Sequence, residues 1–309
     1  MNREEWWKNF ALGIEVDVSG TFIYNGAKTL HDIPNLNNAV DIFEVLYGFS
    51  VGIERLLKVA IILTEHDTQV DIEAFEASLI THNTLELLNR LEQTHALSIG
   101  SQHKEFLALL SKFYKTHRYG RFTSSSVPDI ESERNDFLQF ISKHLGIQFD
   151  LDKEYIGIEN TDQIRTFVCR NVKKISDEIY RVIRGETHRL NIYTDELRGD
   201  SKAIKVFYGK KLDFTDEESK KREILLFLMN PNQSSKHLEA LKAFGVLDFN
   251  PEMAPSYIKA ILNDLHLPYV GDEVDELYYD VKNARDRLDM LKALDSDWLA
   301  FDPDEESDY

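Results

Sequence analysis

The stretch Thr161-Asp-Gln-Ile-Arg-Thr-Phe-Val-Cys-Arg170-Asn-Val-Lys-Lys-Ile-Ser-Asp-Glu-Ile-Tyr180-Arg-Val-Ile-Arg-Gly185 decides the fold class. Ile164, Val168, Val172, Ile175, Ile179 and Val182 recur at intervals of four, four, three, four and three, the apolar stripe of a helix with one buried face. Thr161 suits the N-cap, and Gly185 either ends the helix or kinks it. Extended to Lys211, this is the only sizeable segment where positive charge outnumbers negative. Twelve Lys/Arg face seven Asp/Glu, a local +5 in a chain of net charge −18. Any contact with an anion such as RNA is expected here, because the acidic remainder repels nucleic acid at long range. Arg181 and His188 lie on the basic face, seven residues apart. They project from one side if the helix continues through Gly185.

To either side, the pattern predicts mostly helix. Asn38–Leu63, Asp71–Thr94, His103–His117 and Glu131–His144 carry apolar residues at helical spacing, the last closed by Gly146. Thr123–Pro128 is a loop by composition. Only Ile14–Tyr24, alternating loosely around Ser19-Gly20, reads as strand, and it predicts a short N-terminal β-hairpin. Beyond Phe214 four further helices are expected, over Lys220–Asn230, Ser234–Phe244, Ala254–Leu265 and Asp272–Leu294, followed by an acidic tail. The expected organisation is an N-terminal segment (1–37), a helical bundle (38–213), a C-terminal helical unit (214–294) and the tail (295–309).

Composition narrows the function classes. A hydrophobic content of 42% suffices for a real core, which excludes disorder of the whole chain. A lone Cys169 excludes an intramolecular disulfide and a cysteine-based zinc site, and fits a reducing cytoplasm. No window has the length of apolar residues that a membrane span needs. There is no phosphate-cradling glycine loop, no nucleophile elbow and no helical His–Glu–His zinc pattern, so no cofactor and no metal are expected. The acidic run Asp272-Glu273-Val-Asp275-Glu276 is read as a helix start that suits the dipole.

Three short runs carry a resemblance. Gly52-Ile-Glu-Arg-Leu-Leu-Lys58 precedes His82-Asn-Thr-Leu85, and Phe113-Tyr-Lys-Thr-His-Arg-Tyr119 follows. Together they resemble the HEPN superfamily, small helical domains of prokaryotic toxins and defence proteins, over roughly Ala39–Leu190. The resemblance implies a mainly α, HEPN-like bundle. It also implies a metal-independent ribonuclease site in which an Arg precedes a His by four to six intervening residues, usually in a homodimer. Arg181 and His188 match that spacing, as do Arg90 and His95. The first pair is preferred because it lies in the basic segment, whereas Arg90 and His95 sit well apart around their helix among acidic residues. By this resemblance Arg181 steadies the charged transition state and His188 acts as general acid/base. Arg170, Lys174 and Arg184 steer phosphate. Tyr193, with Phe207 and Tyr208, stacks on bases or belongs to the core.

The family's commonest form places a polar residue after the Arg, as in Arg170-Asn171. Ile175 then stands where the His belongs, which would make the motif degenerate. Two readings therefore stay open. One is an RNA-directed, toxin- or defence-type endoribonuclease. The other is a non-catalytic module that dimerises or docks on a protein partner.

Overall fold

The computed structural model describes residues 3–66, 71–117, 132–149, 157–192, 201–230, 245–263 and 267–292, with 232, 235, 238–239 and 242. Among these the chain is helical and contains no strand, only one isolated bridge between Asn35 and Glu159. It divides into two compact units, Met1–Phe214 and Thr215–Tyr309.

The expected hairpin is a helix. Helix α1 spans Leu12–Asp32 and buries Leu12, Val16, Ser19, Gly20, Ile23, Gly26, Ala27 and Leu30, a period of three and four rather than two. Ser19-Gly20 resembles turn chemistry, but Gly20 serves close packing. A Cβ placed there would collide with the Cβ of Ala203. Asn38 then caps α2 (Ala39–Glu65), its side chain accepting from the Val40 N–H at 2.9 Å. Helices α1 and α2 run antiparallel and touch backbone to backbone. A Cβ on Gly48 would stand 2.9 Å from the Gly26 Cα and the Phe22 carbonyl oxygen, and one on Gly52 would stand 2.8 Å from the Ser19 carbonyl oxygen.

Helix α2 is the axis of the unit. Val59 through Leu63 are buried consecutively, so no side of it faces water there. Around it pack α1, α3 (Ile72–Ser78), α4 (Thr84–Glu92), α5 (Ser101–Lys112), α6 (Ser132–Leu145) and α7 (Asp162–Arg189). The helix expected over 71–94 is broken between Leu79 and Asn83. Asn83 starts α4 as N-cap, its side chain accepting from Glu86 N–H at 3.4 Å. The helix expected to start at His103 begins at Ser101, and a π-helical stretch, Phe113–His117, follows α5. Gly146 follows α6 with a φ of +68°, a conformation that favours glycine. Thr161 caps α7, and the helix continues through Gly185 to Arg189.

Residues 157–161 strap the α1–α2 corner to the start of α7. The buried Asn160 amide donates to the carbonyls of Leu30 (2.6 Å) and Ile33 (2.9 Å), and Leu36 N–H donates to Ile158 O at 2.8 Å. The short helix α8 (Lys202–Phe207) closes the unit on α1 through the Gly20–Ala203 contact. Phe207 is a core aromatic, stacked on Tyr180 with centroids 4.5 Å apart, and the Tyr208 hydroxyl meets that of Tyr180 at 3.0 Å.

In the second unit the described helices are α9 (Thr215–Met229), α10 (Ala254–Asn263), α11 (Pro268–Tyr279) and α12 (Ala284–Leu291). The single helix expected over 272–294 is therefore two, parted at Asp280–Asn283. Most of Ser234–Phe244, the loop at Thr123–Pro128, the run Arg118-Tyr119 and the acidic tail lie outside the described residues. No helix among the described residues is long and apolar enough to cross a membrane.

Candidate functional site

One face of α7 carries Arg170, Lys174, Glu178, Arg181 and His188. Residues 170 and 188 are five full turns apart, which places them about 27 Å apart along the axis. The strip is thus too long to be one site, and its middle is neutralised from within. Glu178, nearly buried, accepts from Lys174 at 2.8 Å, from Arg181 at 2.8 Å and from the Ser98 N–H at 3.0 Å. Burial pushes its carboxyl up, but the Lys174 and Arg181 hydrogen bonds and the Ser98 amide outweigh that and hold it at about 2.

The Arg181 guanidinium also donates to Ala96 O at 3.0 Å, so it ties α7 to the segment between α4 and α5. Its two partners lie at Glu178, one turn back, and at Ala96. His188 is about 10.5 Å further along the axis. His188 is exposed in the last turn, and its imidazole makes no hydrogen bond or ion pair among the described residues. Arg184 is likewise exposed without an ion pair there. Among the described residues Arg181 is held by Glu178 and Ala96 while His188 stands exposed, and Tyr193 lies outside the described residues.

The second Arg–His spacing is also taken up by structure. Arg90 grips Glu65 through Nε at 2.9 Å and Nη2 at 2.5 Å, donates to Ser78 at 3.0 Å and covers the Phe75 ring. His95 Nε2 lies 3.2 Å from Glu186, which Arg189 also binds at 2.5 Å.

At the N-terminal end of the strip, Arg170 lines a cleft of about 520 Å³ with Gln102, His103, Thr166, Phe167 and Asn171. Arg170 is exposed and forms no ion pair among the described residues. The Gln102 amide donates to Asn171 Oδ1 at 2.8 Å, and Asn171 Nδ2 donates to Phe167 O at 2.9 Å, which fixes both amides. His103 Nδ1 is buried without a well-aligned hydrogen-bond partner. Burial first, and then the Lys174 charge, lower the pKa of His103, while the Gly100 backbone partly offsets them. Both burial and Lys174 favour its neutral imidazole. The cleft pairs a permanent cation with a base biased towards its neutral form. Cys169, next to Arg170, is inert because burial pushes its thiol up to about 12.

His103 and Gln102 escaped sequence reasoning because their partners, Arg170 and Asn171, are 67 and 69 residues further along the chain. The Arg170-Asn171 step was the available signal.

A second cleft, of about 510 Å³, has Glu54, Lys58, His82 and Tyr114 among its lining. It unites the runs that carry the resemblance. Glu54 is buried and accepts from Lys58 at 2.6 Å, His82 Nδ1 lies 3.1 Å from the same carboxylate, and the His82 ring stacks on Tyr114. Thr84 Oγ1 adds a bond to Leu107 O at 2.9 Å. Every charged group among these four is already paired, so the runs tie α2, α4 and α5 together.

The Glu178 cluster predicts a pH dependence. A carboxyl whose pKa falls on folding adds stability above its ordinary value of 4.5, and that stability is lost as pH drops towards about 2. Lys174 and Arg181 are 40% and 58% exposed, so solvent screening cuts the full linkage energy to roughly 2 kcal/mol. Denaturant unfolding is expected to separate wild type from Glu178→Gln by that amount at pH 6. The difference should shrink towards zero near pH 2; a constant difference would refute the assignment.

Comparison of the chain with protein-family models, curated proteins and solved structures finds no match.

Proposed function

We propose that this chain is an RNA-directed, HEPN-like protein of toxin or defence type that holds a phosphodiester in the Arg170 cleft. One observation carries the reading: an unpaired guanidinium and an imidazole biased towards its neutral form line a single cleft. Arg170 binds the phosphate through paired N–H donors, and the fixed amides of Gln102 and Asn171 give the cleft its polar wall. In a cleavage step His103 takes the proton of the ribose 2′-hydroxyl. The 2′-oxygen attacks phosphorus, the bond to the 5′-oxygen breaks, and that oxygen takes a proton from solvent. A 2′,3′-cyclic phosphate and a free 5′-hydroxyl result, with no metal required.

The second reading is a non-catalytic interaction module, and a specific observation favours it: Arg181 is engaged by Glu178 and the Ala96 carbonyl. The two readings separate by experiment. Fluorescence anisotropy with single-stranded RNA, and cleavage assayed in chelator, are run on wild type, Arg170→Ala, His103→Ala, Arg181→Ala and His188→Ala. The cleft reading expects Arg170→Ala to weaken binding about tenfold, the loss of one charge-assisted contact. Intact RNA and no binding at high protein concentration would leave the interaction module. Light scattering on the same samples tests for a homodimer.

A further inference from the structure

Residues of α2, of the turn before α4 and of the stretch after α5 meet in the cleft of about 510 Å³, a size that suits a small-molecule ligand. Its most buried charge is Glu54, whose side chain is 9% exposed. An ionised carboxylate only accepts hydrogen bonds, so His82 Nδ1 carries the proton that faces it at 3.1 Å. That fixes the tautomer and leaves Nε2 as an acceptor, with no hydrogen-bond partner among the described residues. The His82 side chain is 44% exposed, so a ligand can reach it.

The charges of the cleft select the ligand. Both of its carboxylates are taken, Glu54 by Lys58 and His82 and Glu15 by Arg55, so neither is left for a cationic ligand. The cations still have donors to spare. Arg55 gives Glu15 only Nη1, so its Nε and Nη2 have no partner among the described residues, and Lys58 gives Glu54 one of its three N–H groups. Such N–H groups suit a phosphate. Trp7, Phe22 and Tyr47, each half-buried, add ring surface against which a planar base can pack. We propose that this cleft binds a ribonucleoside monophosphate unit, with the phosphate on Arg55 and Lys58, the base on the Trp7, Phe22 and Tyr47 rings, and a ribose hydroxyl donating to His82 Nε2. A bare phosphate would leave the rings unused, and an apolar ligand would leave the donors unsatisfied. The site is independent of the Arg170 cleft, whose lining shares no residue with it.

The test titrates the full chain by isothermal calorimetry with each of the four ribonucleoside 5′-monophosphates, with the matching nucleosides, and with inorganic phosphate. A 5′-phosphorylated RNA decamer is titrated into Arg170→Ala, so that the other cleft does not hold it. Of free nucleotide and strand end, the source that binds more tightly is the occupant. It should bind at one site per chain, at least about tenfold more tightly than phosphate or nucleoside alone. Arg55→Ala should weaken it at least about tenfold, the loss of a charge-assisted contact, and His82→Ala at least about threefold. The Arg55–Glu15 pair is half-exposed, so Arg55→Ala should leave the helical circular dichroism unchanged. Nucleotide binding should be unaltered in Arg170→Ala. No saturable binding of any nucleotide or of the decamer, or undiminished affinity in Arg55→Ala and His82→Ala, would overturn the proposal.

Discussion

Gly48→Val is expected to destabilise the Met1–Phe214 unit by at least about 3 kcal/mol, the upper range for overpacking, or to prevent its folding. A Cβ at Gly48 meets the Gly26 Cα and the Phe22 carbonyl oxygen at 2.9 Å and the Gly26 N at 3.0 Å. All three are backbone atoms, so no rotamer change on α1 relieves the clash. The two helices must part, and that opens a seam through a buried cluster that includes Ile23, Val45 and Phe49. Gly185 supplies the control. It lies in the exposed interior of α7, and a methyl group there would have nothing within 4 Å. Gly185→Ala is expected to stabilise by up to about 1 kcal/mol through helix propensity. Denaturant unfolding of the two variants beside wild type reads both signs. A Gly48→Val protein of native stability would show that α1 and α2 do not meet as described.

His103→Ala is expected to lower RNA cleavage in chelator by about 10²–10⁴-fold, the range for loss of a general base. Arg170→Ala should cost about 10²-fold or more, because the guanidinium would face the charge that develops on phosphorus. Arg181→Ala and His188→Ala should stay within a few-fold of wild type where RNA still binds. The pH profile adds a readout that a purely structural role for His103 would not move. Since its pKa is lowered by burial and by Lys174, the rate should persist to lower pH than an ordinary imidazole base would allow and fall as the imidazole protonates. A profile unchanged in His103→Ala, or full activity in both cleft variants, would remove these two residues from the chemistry.

The helices that read clearly in sequence are those whose burial is one-sided. The stripe from Ile164 to Val182 repeats at 3.6 residues because α7 faces the core on one side only, and the structure buries all six of its members. Helix α1 misled for the opposite reason. Gly20 and Gly26 are needed for partners far along the chain, Ala203 and α2, and a glycine kept for close approach looks the same in sequence as one kept for a turn. The break between α3 and α4 was hidden because both pieces carry apolar residues in helical phase, and only the capping by Asn83 divides them. The candidate site was half legible. Arg170 stood out by charge, while His103 required knowing that α5 lies against α7. The spacing of Arg181 and His188 was real, but it could not reveal that Glu178 and the Ala96 carbonyl occupy the guanidinium.

The described helices of the second unit bury no residue, which bears on how the protein is maintained in a cell. A segment that buries so little of itself opens readily, and open chain is what proteases cut. Limited proteolysis should therefore cut within Thr215–Leu291 before it reaches the buried helix α2.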